Sequence, residues 1–255
     1  MQPHFLAPDV YWCQTADAIV FLDLTRDRYV GLASSELPVL RAIVSGWPAA
    51  KACETLKDTL EGARLTTTLG TLLSSGLLSP DASPRMRLSP VATETAGALL
   101  PHTDFDRRPR LHLNHVLNFA CALMGAAVSL KCRPIHRIVE RVRARKEVGL
   151  ATGAAPGDAN PCARVPCGEG SALEPVRSLT IIYKLLRIFS FTAKDACLLD
   201  SLALIEFLAR YEVFPDWVFG VQTGPFAAHS WVQQGRYVLN SSVECVRAYT
   251  PILAV

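Results

Sequence analysis

The chain has 255 residues, half of them hydrophobic, which is enough for two modest domains or one large one around a buried core. A formal net charge of +3 is too small to argue for a nucleic-acid partner, and the opening MQPHFLAPDV lacks the basic-then-apolar order of a secretory signal. Of the eight cysteines, those at 13, 53, 121, 132 and 245 lie in apolar segments, where a thiol behaves as a small hydrophobe, so a reducing cytoplasm is expected.

The first 80 residues read as strands followed by helices. VYWCQT and AIVFLDL are rich in β-branched and aromatic residues and are parted by Ala16-Asp17. A turn at Thr25-Arg26-Asp27 leads into RYVGLA, a third strand. Ser34 and Ser35 can cap a helix carrying Pro38 early, with Leu37, Leu40, Ile43 and Val44 at helical spacing. Pro48 opens a second helix. RLTTTLGTLLSSGLL gives a third, with Leu65, Leu69, Leu72 and Leu73 on one face and Gly76 as its stop. Three strands and three helices make a winged-helix-like domain over 1–80. Nine acidic against seven basic residues before position 86 weigh against phosphate contacts. An open strand edge suits an added peptide strand instead.

A Pro/Ser-rich linker follows over 81–90, and the rest, 91–255, reads as a second, α+β domain with helices first and an antiparallel sheet after. HVLNFACALMGAAVSL falls short of the roughly 20 apolar residues of a membrane span and reads as a buried helix, so no membrane partner is expected. RIVERVRARKEVGL is a basic helix with a solvated face. Residues 151–171 form a long Pro/Gly/Ala-rich loop; Cys162 and Cys167 within it have no second pair at zinc-site spacing, and no metal is assigned. EPVRSLTIIYKLLRIF and CLLDSLALIEFLARY are helices, and WVFGVQ, HSWVQ and YVLN are strands.

Two residues in this half suit a nucleophile and its base. Thr192-Ala-Lys-Asp195 fits a capping box, which starts a helix near Thr192 and puts Cys197 in its first two turns, where the dipole and Lys194 favour a thiolate. Taken alone, Cys197 would read as a buried structural cysteine. His229 follows small residues in FAAHSW, which leave room for an approach to its imidazole. If Gln234-Gly235 is a two-residue turn, Asn240 lies across from His229 with Cβ atoms about 4.5–5.5 Å apart and can hold the ring's tautomer. A three-residue loop brings Ser241 opposite instead, and Asp200 is a carboxylate that can assist from elsewhere.

The segments CLLDSLAL (197–204) and GVQTGPFAAHSWV (220–232) resemble the leader peptidase of lasso peptide biosynthesis, the B protein, a transglutaminase-like cysteine hydrolase. AIVFLDLTRDRYVGL (18–32) resembles the precursor-peptide recognition element, a fold shared with PqqD-type chaperones. The resemblance implies Cys197 as nucleophile and His229 as base on a transglutaminase/papain-like α+β domain, with no cofactor. It also implies leader binding along Arg28, Tyr29, Val30, Gly31 and Leu32 and in a groove beside Leu69 and Leu72. The partners it implies are a ribosomally made precursor peptide and an asparagine-synthetase-like cyclase. The family carries an aspartate about a dozen residues after the histidine, where this chain has Ser241 beside Asn240. That departure keeps a non-catalytic precursor carrier as the rival reading, with acyl transfer to an amine as a second.

Overall fold

The computed structural model describes residues 4–45, 47, 62–81, 93–94, 96–99, 110–153, 173–188 and 196–255. The expected helix from Pro48, all of the linker but Asp81, the loop residues 154–171 with Cys162 and Cys167, and the capping box at 192–195 lie outside them. The protein is mixed α/β, with a strand-rich N-terminal region. Two compact units emerge: residues 1–92 with 220–228 and 250–253, and residues 93–219 with 229–249 and 254–255.

In the first unit β1 (Phe5–Leu6) is followed by β2 (Val10–Gln14), β3 (Ala18–Asp23) and β4 (Arg28–Ala33), which form an antiparallel sheet in the order β2-β3-β4. The β3–β4 turn is built by Asp23. Its carboxylate accepts from the Arg26 amide at 3.1 Å and pairs with the Arg26 and Arg28 guanidinium groups at 3.0 and 3.4 Å. Asp27 adopts the positive φ that Asp tolerates better than most residues. After α1 (Leu37–Ile43) and α2 (Gly62–Ser74), Gly76 at φ 70° ends the second helix. The Leu77 amide bonds the Leu72 carbonyl and the Gly76 amide that of Leu73, the paired bonds of a Schellman stop. This is the stop expected from the sequence; beyond it Leu78 enters β5 (Leu78–Ser79) and pairs with Leu6 of β1, a strand too short to show in the sequence pattern. Leu6, Trp12, Phe21, Leu40, Trp47, Leu72 and Leu77 share one core.

The second unit supplies β6 (Ala98–Leu99), α3 (Leu113–Cys132), α4 (Ile135–Gly153), α5 (Leu173–Arg187) and α6 (Cys197–Ala209). Along the chain then come β7 (Asp216–Thr223), β8 (Phe226–Gln234), β9 (Tyr237–Val238), α7 (Val243–Arg247) and β10 (Thr250–Ala254), of which 220–228 and 250–253 belong to the first unit. The strand order is β10-β7-β8-β9-β6, with β6 parallel to β9. Helix α6 is buried along most of its length; Leu202, Ala203, Leu204, Phe207 and Leu208 have no accessible surface. It is a central helix rather than an amphipathic one. Helix α3 reverses the expectation of burial: it packs against α6 through Phe119, Ala122 and Ala126 and leaves most of its other apolar side chains in solvent.

Candidate active site

Cys197 is the first residue of α6, with Ala196 as its cap, so it stands where backbone N–H groups lack partners within the helix and the dipole is positive. The thiol is half-buried. His229 lies on β8, also half-buried, its ring 5.2 Å from that of Tyr249 and 6.0 Å from that of Trp231. Partial burial pulls its pKa below the ordinary histidine value, which favours the neutral imidazole.

Serines join the two elements. Ser230, next to His229, donates to the Cys197 carbonyl at 3.2 Å, and its own carbonyl accepts from Ser201 at 2.9 Å. Cys197 and Ser201 are one helical turn apart, so β8 is held at two points on one face of α6. Tyr249 marks the same place: its phenol is pushed up by burial first, then by the Cys245 and Cys197 thiols.

The hairpin after His229 turns one residue later than the count from Gln234-Gly235 supposed. Gln234 pairs with Tyr237 and Gln233 with Val238, which leaves Gly235-Arg236 as the turn. Gly235 takes φ 55° at the first turn position, where a side chain would be strained. Strand β9 ends at Val238, and in the chain beyond it Ser241 comes to His229, with Oγ and Nε2 3.2 Å apart. Asn240 turns the other way. Its Nδ2 donates to Asp200 Oδ2 at 2.9 Å and to Ser201 Oγ at 3.0 Å, and its Oδ1 accepts from the Val232 amide at 2.8 Å.

Asp200 is 3% exposed. Arg187 pairs with its carboxylate at 2.8 Å, and the Tyr183 hydroxyl lies 3.2 Å from the same oxygen. Burial raises the Asp200 pKa, against the lowering effects of the Asn240 hydrogen bond, Arg187 and Tyr183. Every oxygen of that carboxylate is thus engaged away from His229. Asp200 acts on the hairpin through Asn240, whose neighbour is Ser241.

A model of the transglutaminase-like superfamily matches residues 127–254, half of the chain. The chain belongs to the transglutaminase-like superfamily. No curated protein and no solved structure matches it. The matched region takes in α6, β7, β8, β9 and β10, and so holds Cys197, His229, Asn240 and Ser241. A transglutaminase-like domain is a fold consistent with cysteine-peptidase chemistry.

The first-unit residues singled out for peptide binding divide. Arg28 to Leu32 lie on β4, an edge of its three-stranded sheet. The Tyr29 ring lies 5.6 Å from that of Phe226 of the same unit, tilted by 60°, and a Cβ on Gly31 would meet open space. The Arg28 guanidinium bonds Asp23 and the Ser75 carbonyl, so it holds the hairpin to the end of α2. Leu69 is partly buried against the core; Leu72 is 1% exposed and shapes any groove only from beneath. Ser201 and Ser230 were the functional positions sequence reasoning passed over, and only the i, i+4 spacing of Ser201 from Cys197 hints at a role.

Proposed function

We propose that this protein is a thiol peptidase that removes the leader from a ribosomally made precursor peptide before lasso macrocyclisation. The observation that carries the reading is Cys197 at the start of α6, tied through Ser230 to the strand of His229, whose Nε2 is held by Ser241. With Nε2 engaged, Nδ1 is the nitrogen that exchanges a proton with the thiol. Cys197 Sγ attacks the scissile carbonyl carbon as its proton passes to His229. The unpartnered N–H groups at the α6 start bind the oxyanion. The C–N bond breaks, His229 returns the proton to the departing core amine, and a leader thioester remains. Water, deprotonated by His229, then hydrolyses it.

The winged-helix-like reading of 1–80, followed by a linker over 81–90 and a peptidase domain over 91–255, gives this enzyme its substrate. The leader adds as a strand on β4, where backbone hydrogen bonds supply affinity and side-chain pockets specificity. The freed core passes to an asparagine-synthetase-like cyclase. The rival, a carrier that binds but does not cut, is favoured by one observation: a neutral serine, not a carboxylate, faces His229. Incubation with the precursor peptide, read by mass, separates them. Two fragments whose formation Cys197→Ala abolishes support the peptidase; tight binding with the peptide left intact supports the carrier.

A further inference from the structure

Helix α3 is docked by a narrow seam. Its buried residues are Phe119, Ala122 and Ala126, two of them small, and Phe119 meets Tyr183 edge-on at 5.3 Å. On the opposite face Leu113, Leu117, Met124 and Val128 are 73, 55, 70 and 59% exposed, with the Cys121 thiol also exposed between them. Their spacing of i, i+4, i+11 and i+15 puts all four on one stripe about 22 Å long. So large an exposed apolar strip marks an interaction surface. Among the described residues, α3 is also the one helix long and apolar enough to cross a membrane, yet its seam with α6 keeps it in the domain.

The charges around the stripe select the occupant. From 107 to 139 the sequence has no acidic residue, and exposed Arg110 stands before the stripe while exposed Lys131 and Arg133 stand after it. A second copy of this face would bring basic ends together in an antiparallel pairing and in a parallel one alike, with no carboxylate on either stripe to offset them. An anionic lipid surface complements both features at once, taking the apolar side chains among its acyl chains and the basic ends at its headgroups. The expectation of no membrane partner rested on a buried α3, and the exposure of this face removes that footing.

We propose that α3 lies flat on an anionic membrane surface through Leu113, Leu117, Met124 and Val128, with Arg110, Lys131 and Arg133 at the headgroups. The proposal is independent of the peptidase reading. Sedimentation of the full chain with phosphatidylcholine vesicles, with and without phosphatidylglycerol, tests it. Binding is expected on the anionic vesicles, weakened by salt. Met124→Glu with Val128→Glu is expected to lower it by roughly tenfold or more, and Lys131→Glu with Arg133→Glu by about fivefold per charge removed. All four side chains are exposed, and an unchanged thermal melt verifies folding; if the first pair fails to fold, the second decides. No partition to anionic vesicles overturns the proposal, as does binding that neither pair weakens. A concentration-dependent dimer, dispersed by Met124→Glu with Val128→Glu and indifferent to vesicles, assigns the face to a second copy and overturns it too.

Discussion

Ser241 sets the character of the site at the scale of single residues. A hydroxyl at His229 Nε2 fixes the ring's orientation without stabilising the imidazolium as a carboxylate would, and partial burial disfavours the charged ring further. Because the folded-state pKa of His229 is lowered, the imidazole stays neutral to a lower pH than usual. A base that must be neutral to act then loses activity only at that lower pH. The acidic limb of the kcat/KM profile should therefore fall below about 6.5, the ordinary histidine value. Ser241→Asp should move that limb upward, and Ser241→Ala should lower kcat by roughly tenfold while leaving the limb low. A limb that Ser241→Asp leaves in place would remove Ser241 from the proton path. The placement of Cys197 on a helix and of His229 on a strand was legible in the sequence from their flanking residues. The approach of Ser241 to the ring was not, because β9 stops at Val238 and counting pairs along the hairpin does not give the place of residues beyond it.

Elements are held around the site by a buried polar network that runs from Arg187 on α5 through Asp200 on α6 to Asn240 beyond β9. The groups in it bond one another, so removing one costs its neighbours a partner. Asp200→Ala takes the carboxylate from Arg187 and one acceptor each from Asn240 and Tyr183, and a loss of about 3 kcal/mol is expected in urea unfolding, with the slope unchanged. A loss under about 1 kcal/mol would show that Arg187 and Asn240 find other partners. Strand identities were legible where β-branched and aromatic residues run between turn signals, as in β2, β3 and β4. Helix α3 was not. Its residues are apolar on nearly every side, so periodicity alone does not tell a helix sunk in a core from one docked along a thin seam. Pairings between short strands such as β1 with β5, or β6 with β9, were hidden because two residues carry no period at all.

Across the whole molecule, we propose that the transglutaminase-like domain supplies the chemistry and the β4 edge the choice of substrate. If recognition and cleavage are separate in this way, a leader peptide lacking the junction competes with the precursor and raises its KM without changing kcat. A core with only a few leader residues should lose roughly tenfold or more in kcat/KM. Equal efficiency on both substrates would take the β4 edge out of recognition. The composition shift near residue 80 was legible in the sequence, whereas the division of 220–228 and 250–253 into the first unit was not, since it depends on contacts between residues far apart in sequence. The central claim, that Cys197 is an acylated nucleophile, is tested most directly by the intact mass of the protein after brief incubation with precursor and an acid quench. A gain equal to the leader less one water, carried by the peptide containing Cys197 and absent from Cys197→Ala, is the predicted result. Cleavage by Cys197→Ala at the wild-type rate would contradict it.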